Sequence, residues 1–308
     1  MGTSYSVVAV DHTRAVTETG LRREIEAGLL QVNAQLSNWD PNSEISRFNA
    51  SRSTDAVAVS PALAEVMNAA DLVHTASDGQ FDVTLGPLID LWGFGAADNS
   101  VRTPDAAEIE AALGASGQNR TLQVSEGSLQ KRVPGTEIYL SAIGKGYGVD
   151  VVARKLESLG IKDYMVEIGG DLYTAGNNPE GRPWQIGIET PLAHDRTTHQ
   201  VVDLSSLGMA TSGDYRNYFE QDGVRYSHII DAQTGRPITH TTASVTVLTE
   251  NAMLADAWAT AMLVLGRERG MEIANNRDLA VLFIERDANA THNRFITTPS
   301  ARFSALQA

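Results

Sequence analysis

Two stretches of the chain hold residues whose types and spacing could do chemistry. In Leu140-Ser141-Ala142-Ile143-Gly144-Lys145-Gly146-Tyr147-Gly148-Val149-Asp150, three glycines in five positions surround one lysine. Without a Cβ, backbone N–H groups can curl around a guest. Lys145 adds a cation there, and the helix predicted behind it offers its positive end. Those are the parts of a phosphate cradle, although the spacing is neither a Walker A nor a dinucleotide GxGxxG pattern. A turn that merely starts a helix is the alternative. In the second stretch, Leu254 to Leu263, Asp256 and Thr260 are four apart on a predicted helix, so a carboxylate and a hydroxyl face the same way. An Asp inside an apolar helix is costly unless paired or metal-bound. Hard oxygen donors suit Mg²⁺, which takes one or two protein carboxylates plus substrate phosphates. A hydrogen-bonded helix start near Asn251 would account for Asp256 as well.

These residues need elements to position them. Ile138-Tyr139-Leu140 has strand character ahead of the glycines, and Val149, Val152, Leu156 and Leu159 recur at helical spacing behind them. Tyr5 to Val10 reads as a first strand. The literal myristoylation pattern of Met1-Gly2-Thr3-Ser4-Tyr5-Ser6 runs straight into it and is set aside. Leu21, Ile25, Leu29, Val32 and Leu36 form one face of an amphipathic helix. Asp40-Pro41-Asn42 is turn chemistry, which puts Trp39 at the helix exit, as a stacking platform for a planar ligand or as a hydrophobic plug. Ser60-Pro61 opens a second helix with Leu63, Val66, Met67, Ala70 and Val73 as its buried stripe.

Aromatics and glycines alternate from Gly79-Gln80-Phe81-Asp82 to Trp92-Gly93-Phe94-Gly95, which suits a ring-binding cleft or plain packing equally. Asp105 to Leu113 predicts a short acidic helix, with strands near 121–124 and 129–133. Strands are then predicted at Tyr164–Ile168, before Gly169-Gly170-Asp171 where a close backbone approach or bulge is expected. Others follow at Trp184–Glu189, Met209–Tyr215, Arg225–Asp231 and Ser244–Leu248. No repeat and no internal domain boundary is visible, so the chain reads as one domain over residues 1–308.

Bulk properties narrow the function. With 308 residues and 42% apolar content, the chain can build a substantial core. A net charge of −14 argues against nonspecific nucleic-acid binding, and it requires a local lysine, helix end or metal wherever an anion binds. The absence of cysteine excludes disulfides, thiolate catalysis and cysteine-bound metals, without deciding the compartment. No apolar run approaches the length of a membrane span.

Taken together, eight segments in order resemble the ApbE-type FAD:protein FMN transferases. They are Met1-Gly2-Thr3, Trp39-Asp40-Pro41 to Phe48-Asn49, Phe81-Asp82 to Trp92-Gly93-Phe94-Gly95, and Ser141 to Asp150. The rest are Glu167-Ile168-Gly169-Gly170, Ala210-Thr211-Ser212-Gly213, Ser227-His228-Ile229-Ile230-Asp231 and Ala255-Asp256-Ala257-Trp258-Ala259-Thr260.

The resemblance implies an α+β fold with mixed or antiparallel sheets flanked by helices, in two closely packed halves with the flavin cleft between them. It implies transfer of the FMN half of FAD to a threonine hydroxyl of an acceptor protein, with release of AMP. Met1, Trp39 and the Gln80-Phe81-Asp82 turn would line the FAD cleft, Lys145 would contact FAD, and Ile230 would touch the flavin through its backbone. Asp256, Thr260 and the carbonyl of Ala142 would hold Mg²⁺, and His228 would be the catalytic base. The family usually has an Asp where this chain has Tyr139, which alters the finer contacts to FAD. Family-typical acceptors are subunits of sodium-pumping or Rnf-type respiratory complexes, or a flavoprotein of nitrous-oxide respiration. Members are usually exported to the periplasm, often as lipoproteins; the missing leader and cysteine would follow if this sequence begins at the mature domain. A hydrolase splitting FAD into FMN and AMP, or a non-catalytic FAD-binding protein, are the alternatives.

Overall fold

A computed structural model describes residues 2–12, 16–95, 101–193, 197–287, 289 and 294–308. β1 (Tyr5–Val10) leads into α1 (Glu18–Leu36), whose predicted stripe buries Ile25, Leu29, Val32 and Leu36. α2 (Glu44–Ala50) and a short β2 (Val57–Ala58) follow. Ser60 caps α3 (Pro61–Ala76), with proline in the first turn and the expected apolar face inward. Next come α4 (Gly86–Leu91), α5 (Ala106–Ala115), α6 (Gln118–Thr121), β3 (Leu122–Ser125) and β4 (Ser128–Lys131). Asp105 and Glu108 close a capping box that starts α5 where the acidic helix is predicted.

The rest of the chain is strand-rich, as its alternating pattern predicts. It runs α7 (Gly144–Ser158), β5 (Asp163–Ile168), β6 (Asp171–Ala175), β7 (Trp184–Glu189) and β8 (Thr198–Leu204). Then come β9 (Leu207–Gly213), β10 (Tyr218–Gln221), β11 (Val224–Ser227) and β12 (Thr242–Thr249), followed by α8 (Ala252–Asn276), β13 (Ala280–Arg286), β14 (Phe295–Pro299) and α9 (Ala301–Leu306). Seven strands pair in the order β1-β5-β6-β9-β12-β13-β14, and every ladder among the described residues is antiparallel. The fold is therefore α+β with antiparallel sheets and helices. One sheet face packs Val245, Val247, Val281 and Phe283 against α3 and α8. The other packs Met209, Leu248 and Leu282 against the β7–β8 ribbon and Phe303 of α9.

Two local expectations change. Ile138–Leu140 is extended but joins no sheet, because side chains take the place of a partner strand. Asn38 and Asn49 both donate to the Ile138 carbonyl, at 2.7 and 2.8 Å, and their amide oxygens accept from Leu140 and Ile138 N–H. Tyr139 N–H donates to the Val83 carbonyl. The glycines, moreover, form no loop: Gly144, Gly146 and Gly148 all lie within α7. At Gly146 the reason is packing, since a Cβ there would stand 2.2 Å from the Ala252 carbonyl oxygen at the start of α8.

Further bonds lock the same junction. Asp150, on the buried side of α7, accepts from the first two N–H groups of α8, Ala252 and Met253, at 2.8 and 2.9 Å. Asn251 caps the helix through Leu254 N–H. Gly146→Ala should therefore cost about 1–3 kcal/mol of stability in urea unfolding, the usual penalty for overpacking. An unchanged midpoint would show that the two helices can part freely.

Candidate active site

The α7–α8 junction brings a cation and a carboxylate together in a cleft of about 390 Å³. Gln80, Phe81, Asp82, Tyr139 and Ala142 line it, as do Lys145, His228, Ile230, Asp256 and Thr260. Trp39 lies next door, in a pocket that shares Tyr139, Ser141 and Lys145 as its wall. The residue is 60% exposed, which excludes the plug and leaves a surface a planar ligand could stack on. Met1 lies outside the described residues.

Lys145 carries the first wall. Its Nζ is 2.7 Å from Asp171 Oδ2 and 3.2 and 3.4 Å from the two oxygens of Asp256. Asp256 Oδ2 also accepts from Gly146 N–H at 3.0 Å. Both carboxylates are buried. Burial alone would pull the lysine pKa down, but the two carboxylates outweigh it and hold the ammonium charged. Asp171 is pushed up by burial and by Asp256, with Lys145 opposing. Both directions describe one imbalance, two buried carboxylates facing a single ammonium. Thr260 is on the same helix face as Asp256, as its spacing predicts, and shares a 3.0 Å hydrogen bond with Ser212.

The second wall is the Asn-clamped segment ending in Tyr139, Ser141 and Ala142. Burial, with Asp90 nearby, pushes the Tyr139 phenol up to about 12, so its hydroxyl keeps its proton. In the Gln80-Phe81-Asp82 turn, Asp82 is committed to the protein. One of its oxygens accepts from Thr84 N–H and hydroxyl, the other from Gln118 N–H. Phe81 is buried, and its carbonyl bonds His74 Nδ1. Gln80 differs: its amide oxygen is buried in the cleft wall with no hydrogen-bond partner. Trp92 is fully buried with its ring N–H on the Gly235 carbonyl, so here packing is the answer.

His228 stands at the foot of the β10–β11 ribbon. Its backbone N–H and ring Nδ1 both reach the Asn217 carbonyl, at 3.1 and 3.0 Å. A carbonyl only accepts, so Nδ1 carries the proton and Nε2 keeps a lone pair. Phe94 meets the ring edge-on at 6.3 Å. Burial pushes the imidazole pKa below its ordinary value, Lys145 adds to this, and the Asn217 carbonyl and Asp214 only partly oppose it. The ribbon itself is tied to the sheet at Asp214. That buried carboxylate binds Arg286 of β13 with both oxygens, at 2.6 and 2.9 Å, and Arg225 of β11 at 3.3 Å. Ile230 sits just beyond, bridged to Pro237.

The chain as a whole has counterparts among known proteins. The sequence profile of the ApbE family fits residues 1–283. The chain belongs to the ApbE family. An FAD:protein FMN transferase of Vibrio cholerae serotype O1 is 43% identical over 284 residues, covering 92% of this chain and 85% of its own length. That of Haemophilus influenzae is 41% identical over 312 residues, covering 99% and 89%. The structure of flavin transferase ApbE from Vibrio cholerae superposes with a TM-score of 0.91 at 40% identity, covering 99% of this chain and 96% of that one. Pseudomonas stutzeri flavinyl transferase ApbE gives 0.90 at 38%, covering 100% and 94%.

Sequence reasoning missed Asp171, Asn217 and Ser212. A carboxylate directly after a diglycine turn was a usable signal for Asp171. Nothing local marks Asn217, whose carbonyl acts rather than its side chain. The ring of His228 should titrate below the ordinary 6.5, with Nδ1 protonated in the neutral form. Nitrogen-detected NMR of the histidine rings checks both, and a midpoint at or above 6.5 would refute the burial account.

Proposed function

We infer that the chain is an FAD:protein FMN transferase, moving the FMN half of FAD onto a threonine hydroxyl of an acceptor protein and releasing AMP. The observation that carries this reading is His228, neutral and with Nε2 free, lining the same cleft as Lys145, Asp256 and Thr260. A protein that only stored FAD would have no use for a free base at that place. FAD would lie between the half built on the seven-stranded sheet and the half built from α2 to β4, with residues 1–308 acting as one domain.

The residues present fit Mg²⁺. Asp256, Thr260 and the Ala142 carbonyl offer only hard oxygen atoms. Two buried carboxylates share one lysine, and their crowding disfavours ionising both, a penalty that a divalent cation would relieve. When bound, Mg²⁺ supplies the positive charge that a pyrophosphate needs against this acidic wall.

The chain's own groups account for the remaining steps. Gln80, Tyr139 and the exposed Trp39 ring orient FAD, with the orphaned Gln80 oxygen free to accept from it. Lys145 faces the phosphates. His228 Nε2 takes the proton from the acceptor threonine as its oxygen attacks the FMN phosphorus. The threonine O–P bond forms, the anhydride P–O bond breaks, and the bridging oxygen leaves with AMP. On family resemblance we extend the reading to the periplasm, to a lipid-anchored full-length form, and to acceptors among respiratory-complex subunits or the nitrous-oxide respiration flavoprotein.

Incubation with FAD, Mg²⁺ and acceptor, followed by intact mass, tests it. The acceptor should gain FMN less one water at threonine, with AMP in equal amount. Asp256→Asn or EDTA should abolish turnover. His228→Ala should retain FAD binding yet slow labelling about a hundredfold or more. In the wild type the rate should fall as pH drops through the histidine's lowered pKa, because the protonated ring cannot accept a proton. AMP and free FMN with no labelled acceptor would make the protein a hydrolase.

A further inference from the structure

Asp171 has no place in the mechanism above, yet it is the nearest partner of Lys145. It is 2% exposed, at the first position of β6, and Lys145 is its only ion-pair partner among the described residues. Its Oδ2 has no aligned hydrogen-bond donor, so the 2.7 Å approach of the ammonium is what compensates it. The preceding turn closes tightly on Thr3 and lies in contact with the lysine stem. Gly169 has a φ of 60°, and a Cβ there would stand 2.9 Å from Thr3 Cγ2 and 3.4 Å from Lys145 Cδ. The lysine stem runs past that glycine to an ammonium lodged between two carboxylates, with 31% of the side chain exposed to the cleft.

A divalent cation arriving at Asp256 meets an ammonium already bound there. Like charges so close repel strongly away from bulk water. An ammonium expelled without another partner would lose its compensation, and the cation would bind weakly. Asp171 removes that obstacle, because Lys145 can let go of Asp256 while keeping its shorter contact. We propose that Asp171 is the tether of Lys145: the lysine is the internal counter-ion of the cation-free site, and Asp171 retains it when a divalent cation takes Asp256. Asp171 is thus a positioning residue that sets how readily the site accepts metal and keeps the ammonium facing the phosphates. This rests on the assignment of Asp256 to the metal set.

A double-mutant cycle on the full chain without FAD tests it, with Mn²⁺ as the probe and its free concentration read by electron paramagnetic resonance. Asp171→Asn should weaken Mn²⁺ binding about tenfold, since the freed ammonium pairs wholly with Asp256, but by under about threefold when Lys145 is absent. Lys145→Gln alone should tighten binding. Lys145→Met provides a second background, so loss of folding in one leaves the cycle measurable. Equal losses with and without Lys145 would mean that Asp171 acts only through the field of its charge, overturning the tether while the metal set stands. Wild-type Mn²⁺ affinity in Asp256→Asn would overturn the metal set itself.

Discussion

The close approach of α7 to α8 at Gly146 is the constraint on which the site depends. With no Cβ at 146, the first turn of one helix rests on the backbone that opens the other. Asp150 then takes the two leading N–H groups of α8, and Asp256 returns a bond to Gly146 N–H. Each helix start is capped by the other's carboxylate. Lys145 and Asp256, 111 residues apart in sequence, become neighbours through that exchange. The cost of burying both carboxylates is offset by hydrogen bonds and one ammonium, and those same bonds fix where the ligand's charge must fall.

Charge also explains why an acidic protein can handle an acidic substrate. A single lysine among glycines looks like a phosphate ligand, but its charge is already divided between two carboxylates. Two carboxylates crowd one ammonium, so on the proposed function a cation would assist the binding of a pyrophosphate. The protein's part on that reading would be to arrange oxygen donors around a single ammonium.

Legibility in the sequence followed periodicity. The stripes of α1 and α3, the cap at Ser60, the short acidic helix near Asp105, and the shared face of Asp256 and Thr260 all follow from local spacing, and all are present. What escaped was long-range. Ile138–Leu140 has the composition of a strand, but amides from positions 100 and 89 residues earlier satisfy its backbone, and no local pattern announces that. The glycines around Lys145 suggested a loop because the packing partner of Gly146, Ala252, is remote in sequence. Asp171 escaped for the same reason, being defined by a lysine that reaches it from another element. The ordered set of segments identified the ApbE family, which spacing alone left open.

The tie at Asp214 bears on how two substrates are handled. Two strands alone have little stability, so β10–β11 keeps its place through Arg225, stacked 4.1 Å over Tyr218, and through the fork of Arg286. His228 rides on that ribbon, whereas Lys145, Asp256 and Thr260 belong to helices packed in the core. On the proposed function, the nucleotide would be met by helices packed in the core and the incoming protein by a ribbon moored at one carboxylate. On that reading, geometry toward FAD and accommodation of a bulky macromolecular partner would rest on separate parts of the fold.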